Sequence, residues 1–353
     1  MAYTTIDDPS AHFQTATYTG NAGALNIVNG GNSDLQPDLV WLKDRGATNS
    51  HRLVDSSRGV QEAIRSNADS AEGTDTGLVT AFNSDGFSHN STDTAWNGSG
   101  DTYVAWQWKA NGGTRTTNTE SGNNPAGGYQ ANTTAGFSIV DYTGTGAAGT
   151  MAHGLGAVPT CMIIKNRGES VDWGVYHQEM SSAGNDSYLE LNTNDATATA
   201  GTMWNDTTPT SSVFTIGSNT KTNKDAIAYI AYVFTPIQGF SKFGSYTGNN
   251  SANGTYNYTG FKPAWVIIKN TGGTGNWRIY DNIRSPDNVT KETLISNATD
   301  AETNSNNEID FLSNGFKCRA TDSNTNGDGT SHIYMAFAEH PFVTTTGTPV
   351  TAR

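Results

Sequence analysis

Three landmarks recur in the same order three times along this chain, so the chain must fold as copies of one unit. The first is an aromatic residue followed by Tyr-Thr-Gly: Phe13 with Tyr18, Thr19 and Gly20; Phe137 with Tyr142, Thr143 and Gly144; Phe240 with Tyr246, Thr247 and Gly248. The second is a proline leading into an apolar run that ends in lysine: Pro37 to Lys43, Pro159 to Lys165, Pro263 to Lys269. The third is a strand built on Tyr-x-Ala: Tyr103 to Trp108, Tyr229 to Phe234, Tyr334 to Ala338. The first and last of these tyrosines are about ninety residues apart in every copy, the size of a small domain. Lesser matches keep the same register. Trp173 and Trp277 stand eight residues beyond their lysine, where His51 stands in the first copy, and Asp55, His177 and Asp281 follow four residues later.

Each copy reads as β structure. Val40-Trp41-Leu42, Met162-Ile163-Ile164 and Val266-Ile267-Ile268 are short apolar runs rich in β-branched or aromatic residues, as expected of interior strands buried on both faces. The proline before each run fits a strand entrance, because it offers no N–H to the ladder. The third landmark alternates, with Val104, Trp106 and Trp108 on one side and Tyr103, Ala105 and Gln107 on the other. Only Ser57 to Ile64 has spacing that allows a short helix or turn. Hydrophobic residues make up 35% of the chain and charged residues 15%, and Gly, Asn, Thr and Ser fill the difference. That balance predicts short strands joined by polar turns. The expected fold class is all-β, three tandem antiparallel β-sandwich modules, with the jelly roll among the topologies left open. The expected boundaries are an N-terminal arm at 1–12, modules at 13–110, 136–236 and 237–343, a Gly/Asn/Thr-rich linker at 111–135, and a C-terminal tail at 344–353 ordered only against a partner. The second and third modules, joined almost directly, should form the stiffer pair.

The same sequence limits the chemistry. A net charge of −13 with no cluster of Lys or Arg argues against nucleic acid as a partner. No apolar run reaches the ~18–20 residues of a membrane span. The polar, acidic start from Met1 to Thr15 has no stretch resembling a signal peptide, so synthesis in a cytoplasm is expected. Cys161 and Cys318 lie at non-equivalent positions among apolar neighbours and read as buried free thiols. The seven histidines are scattered, and no nucleophile elbow, zinc-binding helix motif or phosphate loop occurs. His177 reads as a polar core or turn residue. Glu179, Glu190, Glu292 and Glu308 read as solvated faces rather than a glycosidase pair.

Two local patterns are candidate sites. Asp322, Asn324, Asn326 and Asp328, with Gly327 at the sixth position, match the first half of a calcium loop, but Ile333 stands where the bidentate Glu belongs. An Asn/Gly-rich hairpin loop explains the same letters. Trp96-Asn97 and Trp204-Asn205 pair an aromatic ring for stacking on a sugar with an amide for its hydroxyls, in loop-like contexts; core packing is the alternative.

The series Phe13-Gln-Thr with Tyr18-Thr-Gly, Pro37 to Arg45, Asn83 to Phe87 and Tyr103 to Lys109 resembles modules repeated in structural proteins of marine tailed phages. Gly136 to Gly144, with His153 to Gly156 and Pro159 to Arg167, resembles their second module type. The likeness covers nearly the whole chain, in scaffold residues. It implies lectin-like sandwiches and a non-enzymatic virion protein, a tail fibre or a capsid-surface decoration, whose partners are other virion proteins and further copies of itself. A carbohydrate-binding adhesin that contacts a host-surface glycan is the alternative, and a polysaccharide depolymerase the third possibility. No catalytic residue carries over.

Overall fold

The computed structural model describes residues 2–180, 185–304 and 308–351. The fold is all-β, with antiparallel sheets and, among the described residues, only short helical turns. The three landmarks of each copy become neighbouring strands of one sheet. In the first sheet the order is Phe13–Thr19, Thr102–Trp108, Leu39–Asp44, Arg52–Asp55. In the second it is Phe137–Thr143, Ala228–Phe234, Cys161–Asn166, Gly174–His177, and in the third Ser241–Thr247, Ser331–Pro341, Phe261–Asn270, Arg278–Asp281, Leu294–Ile295. Register matches in the first two, where Tyr18 pairs with Tyr103 and Tyr142 with Tyr229; in the third Tyr246 pairs with His332, so His332 and not the landmark Tyr334 stands in the equivalent place, and Tyr334 pairs with Gly244. A smaller sheet closes each sandwich, Ala24–Ile27 with Phe87–Asn90, Gly149–Ala152 with Val213–Ile216, and Tyr256–Tyr258 with Gly315–Cys318.

The apolar runs are buried on both faces because each main sheet is covered twice. Val40, Leu42, Tyr103 and Ala105 face the first sandwich's own core, while Leu39, Trp41, Val104, Trp106 and Trp108 face a core common to all three sheets. The second sheet divides likewise, with Met162, Ile164 and Tyr229 inward to its own core and Ile163, Tyr232 and Phe234 to the common one. At the centre, Trp41, Ile163, Tyr232, Trp265 and Met335 enclose only about 10 Å³, less than one water needs. Burying each such side chain contributes about 1.5–3 kcal/mol. The three sandwiches are thus not beads in series: they share one core.

The segments expected to be loose are tied down. Asp38 is fully buried and accepts hydrogen bonds from the N–H groups of Ala110, Gly112 and Gly113. From there the supposed linker runs into the strands Thr116–Asn118 and Gly127–Asn132, which extend the second sheet. In the N-terminal arm, Ile6 enters the common core and the Thr4 hydroxyl donates to the Gln238 carbonyl. In the tail, Val343 bridges to Pro349 and Thr345 donates to Asp7, while its last two residues lie outside the described ones. Ser57 to Ile64 is a turn followed by the short strand Glu62–Ala63, not a helix.

Candidate functional site

Neither tryptophan proposed for sugar stacking has a free face. Trp96 is 3% exposed, with the Arg52 guanidinium over its ring. Trp204 is fully buried against Tyr176 and donates its Nε1–H to the Ser187 carbonyl. Asn205 is exposed in left-handed conformation as the C-cap of the turn Gly201–Trp204. Asn97 is buried and structural. Its Oδ1 accepts from the Asn21 N–H, and its Nδ2 donates to the carbonyls of Gly23 and Ser91. Asn223 and Asn326 repeat these bonds onto Thr145, Ala147 and Gly217 and onto Asn249, Ser251 and Ala320.

The landmark tyrosines belong to the same device, because Tyr18, Tyr142 and Tyr246 donate to the carbonyls of Trp96, Thr222 and Thr325. Glycine closes the motif for lack of room, since a Cβ on Gly20 would lie 2.3 Å from the Gly98 carbonyl oxygen. Asn97→Ala is therefore expected to cost about 2–3 kcal/mol in urea unfolding, with three backbone groups losing their partner.

The calcium-like letters belong to the third copy of that cap. The Asp322 Oδ1 accepts from the N–H of Asn324 and the Oδ2 pairs with Arg278, 3.2 Å away. The Asn324 Oδ1 accepts from the Asn276 N–H, Asn326 is consumed as described, and Asp328 is exposed on the turn. The Asn324 amide also donates to the Asp322 Oδ1, so the polar atoms of this segment are spent on one another and on backbone, and among the described residues no group of three His, Cys, Asp or Glu is set to hold a metal. Glu308 is not on a solvated face either: burial raises its pKa, and it accepts from the hydroxyls of Tyr280 and Thr325.

Where the sheets meet, matched residues form matched bonds around the common core. Trp106 of the first sheet donates to Asp281 of the third at 2.9 Å, and Tyr232 of the second donates to Asp55 of the first at 2.8 Å. In the third seam, Met335 receives the Cys161 thiol and His177 contacts the Tyr334 carbonyl. Asp55 and Asp281 each hold a fully buried arginine, Arg58 at 2.5 Å and Arg284 at 2.6 Å, and these reach Glu72 and Glu302. Both glutamates also receive an arginine from the next sheet, Arg167 to Glu72 and Arg45 to Glu302. The alignment of Asp55, His177 and Asp281 in the sequence marks this position. Nothing in it marks the partners, which are distant in sequence.

Two accessible grooves lie along sheet edges. Phe13–Thr19 and Ser241–Thr247 are terminal strands of their sheets, whereas in the second sheet Gly127–Asn132 lies on Phe137–Thr143. A groove of about 470 Å³ follows Phe13–Thr19, walled by Val28 and Gly31 on one side and by Asn282 and Ile283 of the third sheet on the other. A groove of about 620 Å³ follows Ser241–Thr247, between Tyr256 and Tyr258 on one side and Gln178 and Glu179 of the second sheet on the other. Among the described residues, four of the six exposed large hydrophobic side chains line these grooves: Val28, Ile283, Tyr256 and Tyr258.

Fold and grooves together define a class: an all-β, sandwich-type protein whose main sheets share one core, with two sheet edges turned out. A family model described as a domain of unknown function, DUF7483, matches residues 8–341, and the chain belongs to that family. The match spans all three sheets, in keeping with their shared core. No curated protein and no solved structure matches the chain.

Proposed function

We propose that this chain is a non-enzymatic structural protein that works by protein–protein contact. On its resemblance to the modules of marine tailed-phage structural proteins, we place it in a virion, as a tail fibre or a capsid-surface decoration. The observation that carries this reading is the distribution of its side chains. The carboxylate–arginine clusters at Glu72 and Glu302 and the histidines His51 and His177 join the sheets, the buried asparagines cap each copy, and exposed apolar groups gather along open strand edges, where another protein can be held. The test is electron microscopy of purified particles labelled with an antibody to the chain. Label covering the capsid or confined to the tail is the expected result, and particles that carry none would overturn the assignment.

A second reading, adhesion to a glycan, draws on the exposed rings of Tyr256 and Tyr258, two residues apart on one strand. Glycan-array binding abolished by Tyr256→Ala and Tyr258→Ala would favour it.

A further inference from the structure

The chain contains its own example of what such a groove accepts. At the second sheet, Gly127–Asn132 runs antiparallel to Phe137–Thr143, with Tyr129 opposite Val140 and Gln130 opposite Ile139. Tyr129 packs so closely on Gly154 that a Cβ there would lie 2.0 Å from its ring. Gln130 points the other way and donates to the hydroxyls of Ser56 and Ser57 at 2.8 and 2.7 Å. Ser56 and Ser57 follow Asp55 as Asn282 and Ile283 follow Asp281, so Gln130 occupies, at the second sheet, the space that stands open beside Phe13–Thr19.

The two open edges are not alike. Across the groove at Ser241–Thr247, Lys242 donates to the Tyr258 carbonyl and Ser245 to Glu179, so charged and polar side chains guard it. Phe13–Thr19 is guarded at its start alone: Gln14 donates to the Ser33 carbonyl and accepts the Gly31 N–H, while among the described residues Thr15 and Thr17 send no side-chain hydrogen bond across the groove. The Gly20 N–H goes to Asp101 and the His12 carbonyl accepts from Lys109, which by alternation turns the N–H and C=O groups of Thr15 and Thr17 toward the groove. The Thr15 hydroxyl is buried there without a hydrogen-bond partner. In the second sheet Thr143, which matches Thr19, donates its N–H to the Ala126 carbonyl on that side.

We propose that the Phe13–Thr19 edge accepts an extended strand of a partner protein, antiparallel to it, as Gly127–Asn132 adds to the second sheet. Resting on the contact-making reading, this specifies the partner's chemistry. Opposite Ala16 stands an aromatic or aliphatic residue against Val28, and opposite Thr15 an apolar residue against Ile283. Opposite Thr17 stands a glycine, as Gly128 stands opposite Asp141. The strand carries no acidic residue, because Asp8 and Glu339 line the end of the groove near Phe13. Hydrogen bonds from Ser10 and Ser33 outweigh the effect of burial and hold the Asp8 pKa below the usual range, so it stays charged.

The probe is a synthetic peptide with the sequence of residues 126–133 carrying Gln130→Val and Asn132→Lys, titrated into the full chain. Saturation is expected to slow amide exchange at Thr15 and Thr17 about tenfold or more and to leave Ser245 unchanged. Thr17→Pro removes an outward N–H and is tolerated at a strand edge, and it should weaken binding about tenfold or more. Ile283→Asp leaves the strand intact and should weaken binding similarly. Unchanged exchange at Thr15 and Thr17, or undiminished binding by both variants, overturns the proposal. So does dimerisation of the chain through this edge without peptide, which makes a second copy the occupant. A chain that binds the peptide but is missing from particles loses its virion assignment and keeps the groove; a particle protein with unprotected Thr15 and Thr17 does the reverse.

Discussion

Asp55→Ala is expected to lower the unfolding free energy by about 3–5 kcal/mol, read as a fall in the urea midpoint at unchanged slope. The reason lies in what remains. Arg58 is fully buried with its Nε 2.5 Å from the Asp55 Oδ2, and burial works against its charge. Asp55, Tyr232 and Glu72 outweigh that effect and hold its pKa above the ordinary value. Removing Asp55 strips the guanidinium of its nearest countercharge and leaves the Tyr232 hydroxyl without its acceptor, 2.8 Å away. The third seam supplies the control, since the chain has His177 and Met180 where the first sheet has Asp55 and Arg58. The double variant Asp55→His with Arg58→Met copies that seam and should recover most of the loss, because two partners replaced together leave no unpaired charge. A double variant as unstable as Asp55→Ala would show that the pair itself, not the uncompensated arginine, carries the stability.

That contrast also explains what the sequence discloses. Short apolar runs and alternating aromatics mark strands because side-chain direction follows a two-residue period, so the main-sheet strands of each copy are readable locally. Their assembly around one core is not. Leu39, Trp41 and Trp106 show that a strand is covered on both faces, but not that the second cover is another sheet far along the chain. The 111–135 segment misleads for a related reason. Gly127 and Gly128 resemble a flexible linker, yet a Cβ on Gly127 would lie 2.1 Å from the Asp141 carbonyl oxygen, so glycine is there for close strand approach. The Asp322 segment carries the oxygen-rich letters of a cation loop because an asparagine cap requires the same residue types. Trp96 and Trp204 stand among polar neighbours in sequence and among apolar ones in space. The seam position at Asp55, His177 and Asp281 is legible as a recurring place, while its partners Tyr232, Glu72 and Trp106 emerge only when the sheets are set side by side.

Acid should open the molecule at its seams. His51 accepts the Trp41 Nε1–H at Nδ1 and therefore carries its proton on Nε2, which donates to the Ile295 carbonyl of the third sheet. His177 accepts the Glu179 N–H at Nδ1 and donates from Nε2 to the Tyr334 carbonyl. Each is satisfied only as the neutral ring. Burial accordingly pushes His51 well below the usual histidine value and His177 down to about 4. Between the ordinary value near 6.5 and 4 the unfolded chain binds a proton that the folded chain refuses, so stability is present above pH 6.5 and is lost as pH falls through this window. For His177 alone the loss by pH 4 is about 3 kcal/mol. Glu72 adds to the trend: Arg167 and Arg58 outweigh burial and hold its pKa low, and its contribution is lost on protonation. His177→Gln, which titrates nowhere in this range and offers both a donor and an acceptor, isolates the histidine. Urea unfolding at a series of pH values should show the difference in stability between pH 7 and pH 4 reduced by about 3 kcal/mol in the variant. An unchanged difference would mean that the His177 ring is already protonated in the folded chain, with the Glu179 N–H turned away from it.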